Sequence, residues 1–267
     1  MRFIRYQAAE GTVFHGAWQG NGTALRIDGN IFDSYRVTDQ VDNIHKLLAP
    51  IQPTMIWCIG QNYRRHASET GATAPEIPVI FAKGPNCVQA PSEPILIPTH
   101  LASEQVDYEC ELAVVIGKKC KNVRRQDALK YVLGYTCAND VSARDWQLKH
   151  GGSQWCRGKT FDTFAPLGPC LVSPEIIPDP NRLAIKTVLN GKIVQDWNTD
   201  DMIFDVPALI EFLSGSTTLL PGTVILTGTP HGVGMAQKPP RWLQPGDEVS
   251  IIIENIGTLT NPVLAEA

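Results

Sequence analysis

The sequence predicts a predominantly β protein of the α+β class, and two observations carry that expectation. Gly and Pro are abundant, 22 and 20 of 267 residues, which suits many strands and turns rather than a helical bundle. The apolar residues fall in short, often β-branched runs stopped by Gly or Pro, such as 54–60 and 112–116. Brief, punctuated runs of this kind read as buried strands.

Residues 1–7, 12–19 and 23–27 read as short strands split by Gly11, Gly20-Asn21-Gly22 and Gly29-Asn30, and 41–48 as a short helix ending at Pro50. This lead-in, 1–52, forms a small β-rich domain packed on a main body of 53–267. The body opens with the strand 54–60, which delivers a polar helical segment, 61–69. There His66 and Glu69 stand three apart and share a helical face, so the carboxylate can fix the tautomer of the imidazole. That is a general-base arrangement, although the same pair on a surface helix is merely solvated. Its place on a loop after a buried strand favours the first reading. Strands 79–83 and 94–98 follow; Lys83, ending the first, either reaches a substrate carboxylate or snorkels to water.

The run 107–117 carries acids where a strand should be apolar. Glu109 and Glu111 lead into the strand 112–116, and residues two apart on a strand point the same way. After a polar, helix-like segment at 122–131, a second strand, 132–140, ends in Asp140. Three carboxylates on two strands suit a hard divalent ion. Glu109 and Glu111 equally suit an exposed sheet edge guarded against edge-to-edge pairing. Pattern alone leaves both open.

Beyond Asp140, Arg144 has the planar fork that grips a carboxylate, or else pairs with Asp145 or a neighbouring acid. Gln147 stands beside it. Gly151-Gly152-Ser153 is a flexible break, and Lys159 follows between Gly and aromatic residues, either a pocket wall able to hold an anion or an enolate, or a surface lysine in a loop. Residues 166–169 mark a turn into another strand, and 183–194 a hairpin about Asn190-Gly191. Helix 204–213 has Pro207 in its first turn. Residues 219–234 read as a turn, a buried strand and a Gly-rich loop. The loop has neither the Gly-Lys-Ser/Thr of a phosphate loop nor the order of a dinucleotide fingerprint. Its glycines bring backbone close to a small ligand, with Thr229 as a donor. A tight turn at 243–248 leads into the closing strand, 249–254.

The formal net charge of −4 excludes long-range attraction to nucleic acid or an anionic membrane. The seven cysteines form an odd set with no C-x-x-C pair, so neither a zinc site nor a disulfide framework is indicated. No apolar leader opens the chain, and no run approaches the roughly 20 apolar residues of a membrane span. The expectation is a soluble cytoplasmic protein, with a mitochondrial location left open.

Five motifs occur in one order: 60–69, Asp107-Tyr108-Glu109-Cys110-Glu111-Leu112, 139–145, Gly158-Lys159-Thr160-Phe161-Asp162 and Thr227-Gly228-Thr229-Pro230. With this order the chain resembles the fumarylacetoacetate hydrolase family over about 55–264. The resemblance implies a mixed β-sandwich roll, a homodimer, and Mg²⁺ or Mn²⁺ on Glu109, Glu111 and Asp140. It also implies a water-activating dyad of His66 and Glu69, and a substrate pocket lined by Arg144, Gln147, Lys159 and Thr229. The wording of 141–147, 158–164 and 238–240 is similar to the branch associated with oxaloacetate keto-enol tautomerisation. Other members hydrolyse acylpyruvates, decarboxylate oxaloacetate or isomerise hydroxydienedioates. The substrate implied is a small anionic 2-oxo acid whose enolate the ion would stabilise. Tautomerisation then needs only a proton moved at C3, by Lys159 or the dyad.

Overall fold

The computed structural model describes residues 1–152 and 154–267, so Ser153 of the expected break lies outside them. Five strands come first: β1 (Arg2–Gln7), β2 (Val13–Gly20), β3 (Thr23–Gly29), β4 (Tyr35–Asn43) and β5 (Lys46–Leu48). The expected helix at 41–48 is therefore a correction. Val41 pairs with Leu25 and Leu47 with Tyr6, and cross-strand partners outweigh local preference in so short a segment. Then follow β6 (Met55–Gly60), helix α1 (Arg64–Glu69), β7 (Val79–Lys83), β8 (Val88–Gln89), β9 (Ile95–Ile97), β10 (Val106–Asp107) and β11 (Cys110–Ile116). A run of 3₁₀ turns, Arg125–Tyr131, leads to β12 (Val132–Asn139) and β13 (Ser142–Ala143). Helix α2 (Cys156–Lys159) and β14 (Ala165–Val172) come next, then the hairpin of β15 (Ala184–Leu189) and β16 (Lys192–Asn198). The chain closes through α3 (Val206–Ser214), β17 (Thr223–Leu226), β18 (Glu248–Ile253) and β19 (Gly257–Ala265).

These strands form two large mixed sheets. The first runs β4-β3-β2-β1-β14-β12-β11-β17-β6-β7, with β5 on β1 and β8 on β14; the second runs β16-β15-β18-β19-β9. The apolar core between them joins Leu112, Val114, Tyr135 and Cys170 of the first to Ile185, Ile251, Leu259 and Val263 of the second. A second apolar cluster, with Ala113, Val115, Val224 and Phe81, fills the opposite face of the first sheet. Strand β11 is thus buried on both faces and hydrogen-bonded on both edges, to β12 and β17, which is why its sequence is nearly continuously apolar. The edge-guard reading of Glu109 and Glu111 falls with that position.

Two further expectations need correction. Residues 166–169 lie inside β14 rather than in a turn before it, where pairing passes from β8 at Ala165 and Pro166 to β12 at Leu167 and Gly168. The β12–β14 register breaks between Gly168 and Val172, so Pro169, which has no N–H to give, falls in the interrupted part of the ladder. The strand near 249–254 is not the last, because β19 pairs along its whole length. The Asn190-Gly191 turn and the helix with Pro207 in its first turn form as the sequence predicts. Asp205 caps that helix, accepting from the Ala208 amide at 3.0 Å. Asp205→Ala is expected to lower stability by about 1 kcal/mol, read from the denaturation midpoint.

Candidate metal centre and substrate cleft

The site forms where β11 and β12 begin and end together. The Asp140 amide donates to the Glu109 carbonyl at 2.9 Å, and Glu111 sits opposite Ala138. This register brings Glu109, Glu111 and Asp140 onto the face shared with Ala113 and Val115. One oxygen from each of the three buried carboxylates lies within 4.8 Å of the others, a group that can hold a metal ion.

Three buried cations surround the acids. Lys159, at the end of α2, donates to Glu109 Oε2 at 2.8 Å and Asp140 Oδ2 at 2.9 Å. Arg144 pairs with Glu109 Oε1 at 2.6 Å and with Asp107 Oδ2 at 2.9 Å, while its Nη1 donates to Gln147 Oε1 at 3.0 Å. Lys83 pairs with Asp140 Oδ1 at 2.7 Å. Its ammonium also donates to the carbonyls of Val141, Lys159 and Phe164, at 2.6–2.9 Å. Lys83 does not snorkel: it is 1% exposed and outside the cleft lining, with its N–H groups donated to three carbonyls around α2 and its charge set against Asp140.

Asp107, Glu109, Glu111 and Asp140 thus outnumber Lys83, Arg144 and Lys159 by one. Burial opposes ionisation of Glu109, but Arg144 and Lys159 hold it well below the usual carboxylate range. Glu111 has only the Gly228 amide, at 2.7 Å, and a more distant Lys159. Burial first, and then Asp140 and Glu109, push its carboxyl well above the usual range. A buried all-oxygen donor set with uncompensated negative charge fits a hard divalent cation.

Glu109 and Glu111 open into a cleft of about 230 Å³. Its polar wall is His66, Glu109, Glu111, Arg144, Gln147, Lys159 and Thr229; its apolar wall is Ile59, Phe81, Leu148, Trp155 and Met235. Every site residue expected from the sequence therefore faces or supports one cavity, with Glu69, Asp140 and Lys83 standing behind its wall. His66 Nδ1 lies 2.8 Å from Glu69 Oε1, and both Glu69 oxygens accept from the Gly232 amide at 2.9–3.0 Å. A carboxylate so engaged accepts, so in the neutral imidazole Nδ1 carries the proton and Nε2 the lone pair.

Backbone shape makes these contacts possible. Gln61 takes a left-handed conformation (φ 54°) at the Gly60-Gln61-Asn62 corner. Asn62 then turns inward, donating to the carbonyls of Phe204 and Thr227 and accepting from the Phe204 amide. Gly232 is also left-handed (φ 97°), and a Cβ there would lie 2.3 Å from the Val194 carbonyl.

Sequence reasoning assigned no role to Asn62, Asp107 or Gln195. Asp107 had a signal, since it stands two residues before Glu109 and so continues the acidic alternation. It accepts from the amides of Tyr108, Gly234 and Met235 as well as from Arg144, which fixes both the arginine and the loop over the cleft. Asn62 and Gln195 act across large sequence separations and carried none.

A family model described as fumarylacetoacetate (FAA) hydrolase C-terminal matches residues 54–264. The protein named Oxaloacetate tautomerase fahd2, mitochondrial, from Xenopus laevis is 49% identical over 243 residues, covering 91% of this chain and 75% of that one. The human protein named Oxaloacetate tautomerase FAHD2A, mitochondrial, is 47% identical over 218 residues, covering 81% and 69%. The crystal structure of 5-carboxymethyl-2-hydroxymuconate delta-isomerase from Mycobacterium smegmatis superposes with a TM-score of 0.87 at 39% identity, over 100% of both chains. Among the described residues no helix is long and apolar enough to cross a membrane.

The Lys83 assignment has a direct check. Lys83→Met strips Asp140 and three carbonyls of their partner, and breaking a buried pair costs about 3–5 kcal/mol. A large fall in the thermal midpoint is expected; an unchanged midpoint with a raised KM would instead mark a substrate contact.

Proposed function

Because the chain belongs to the fumarylacetoacetate hydrolase family, we propose that it is a divalent-metal-dependent enzyme that interconverts the keto and enol forms of oxaloacetate. Relatives named oxaloacetate tautomerases suggest the substrate. The observation that carries the chemistry is the buried triad of Glu109, Glu111 and Asp140, whose two glutamates line the same cleft as Arg144, Lys159 and His66. Bound there, Mg²⁺ or Mn²⁺ would supply Lewis acidity to the 2-oxygen of the substrate.

The residues of the chain do the rest. Arg144 keeps one Nη1 hydrogen beyond those used by Asp107, Glu109 and Gln147, and directs it to a substrate carboxylate. Lys159 spends two N–H groups on Glu109 and Asp140 and turns the third to the cleft. Burial opposes its charge, yet Asp140 and Glu109 raise its pKa above the ordinary value, so it stays an ammonium and serves as donor to a developing oxyanion. His66, with Nε2 facing away from the Glu69 contact, then takes the proton from C3 and delivers it to the 2-oxygen to give the enol, and the reverse transfer restores the ketone. We assign the protein as a cytoplasmic homodimer, the mitochondrion being the alternative site.

A second reading, hydrolysis of acylpyruvates, has one feature in its favour: the His66–Glu69 dyad also suits water activation. The ultraviolet absorbance of enol-oxaloacetate, followed with Mg²⁺, separates the two. Accelerated loss of enol without pyruvate supports tautomerisation, whereas pyruvate plus a carboxylic acid released from an acylpyruvate supports hydrolysis. Glu111→Gln is expected to abolish both metal binding and turnover, and full activity in chelator-treated protein would remove the metal from the mechanism. His66→Ala is expected to lower kcat by about 10²–10⁴-fold with metal affinity retained.

A further inference from the structure

The β15–β16 hairpin belongs to the second sheet, yet it sends one polar side chain beneath the cleft. Gln195 is 1% exposed, and all four of its hydrogen-bonding positions are filled. Its Oε1 accepts from the Cys110 amide at 3.0 Å and from the Thr187 hydroxyl at 2.7 Å. Its Nε2 donates to the Pro230 carbonyl at 2.8 Å and to Thr229 Oγ1 at 2.9 Å. A backbone amide can only donate and a carbonyl can only accept, so the Cys110 and Pro230 contacts fix which end of the Gln195 amide is which.

That orientation has a consequence one residue further on. Thr229 Oγ1 must accept from Gln195, which leaves its single hydrogen to be donated elsewhere. Among the described residues no oxygen accepts it, the neighbouring Cys110 thiol is a weak acceptor, and Thr229 lines the cleft. We propose that Gln195 is a positioning residue that holds the Thr229 hydroxyl as a hydrogen-bond donor aimed at an anionic oxygen of the substrate. This rests on the reading of the cleft as a site for a small 2-oxo acid. The second sheet thereby sets the polarity of a group that the first sheet presents.

Gln195→Glu tests this with little change of shape. Ionised or protonated, the oxygen replacing Nε2 can accept from Thr229, so the hydroxyl turns away from the cleft. The assay is oxaloacetate tautomerisation at saturating Mg²⁺ for the wild type, Gln195→Glu, Thr229→Val, Thr229→Ser and the Gln195→Glu/Thr229→Val double variant. A hydrogen bond to a charged group corresponds to about a ten- to hundredfold change in affinity. Gln195→Glu and Thr229→Val are each expected to raise KM by that factor with kcat changed less than about twofold. Thr229→Ser keeps the wild-type KM, and the double variant is no worse than either single one. If Gln195→Glu does not fold, Gln195→Met replaces it in the cycle with the same expected result, since it removes the donor and opens the Pro230 carbonyl to the Thr229 hydroxyl. A wild-type KM in the Gln195 variant, or multiplicative losses in the double variant, overturns the proposal.

Calorimetric affinity for malate keeps this outcome distinct from a failure of the proposed function, because malate retains both carboxylates and the 2-oxygen of oxaloacetate but cannot enolise. The same pattern in malate affinity without wild-type turnover would overturn the tautomerase reading and support the role of Gln195. Normal turnover with the pattern absent would do the reverse, and a wild type that neither turns over oxaloacetate nor binds malate would overturn both.

Discussion

The Glu109–Lys159–Asp140 bridge is the contact on which the rest of the structure depends. Each of these charges is buried, and an unpaired ion in such a place carries a desolvation penalty of several kcal/mol. The bridge is tolerable only because every member has further partners. Arg144 satisfies the other Glu109 oxygen, Lys83 the other Asp140 oxygen, and Asp107 the far side of Arg144. Asp107 ends β10, Arg144 follows β13, Lys83 ends β7 and Lys159 ends α2. Satisfying these three charges therefore brings β7, β10, β13 and α2 together where β11 and β12 meet. Glu111 is left with the weakest compensation, so the cluster lacks a positive charge beside it and can hold a metal ion rather than closing as a salt-bridge network.

A second set of constraints comes from glycines and amides in the loops. The dyad stands on a helix of only six residues, too short to hold itself in place. Its anchorage is lateral: Glu69 to the Gly232 amide, Arg64 to the carbonyls of Asp201 and Met202, and Asn62 to both Phe204 and Thr227. The Gly-rich loop is seated in turn on β16, where only glycine fits at 232. His66, Thr229 and the second sheet are thus one mechanical unit, and the proton transfer proposed for this cleft would need that rigidity.

Much of this was legible before any coordinates. The β-rich class follows from composition and from short punctuated apolar runs, because a strand needs only a few residues with the right alternation and a stop. The convergence of Glu109 and Glu111 follows from the two-residue period of a strand, and the His66–Glu69 pairing from the three-residue spacing of a helical turn. Both are local geometry, which a linear sequence contains in full. The errors lay where local pattern is weakest: a helix expected at 41–48 that is strand by virtue of its neighbours, and a turn expected at 166–169 that is strand because β8 and β12 exchange places beside it.

By itself, then, the sequence determined the fold class, the family, the acids and the pairing of His66 with Glu69, since each is a residue type at a fixed short spacing or a motif in a fixed order. Only the tertiary structure decided how each charge is used. Lys83 and Lys159 are both lysines at the ends of short elements, and nothing in the letters around them separates the one that braces Asp140 from the one that faces the cleft. Gln195, Asn62 and the Asp107–Arg144 pair act across 34 to 165 residues of chain. The physical reason is that a buried polar group must find its partner in space, and which partner it finds depends on sheet order and register rather than on sequence distance.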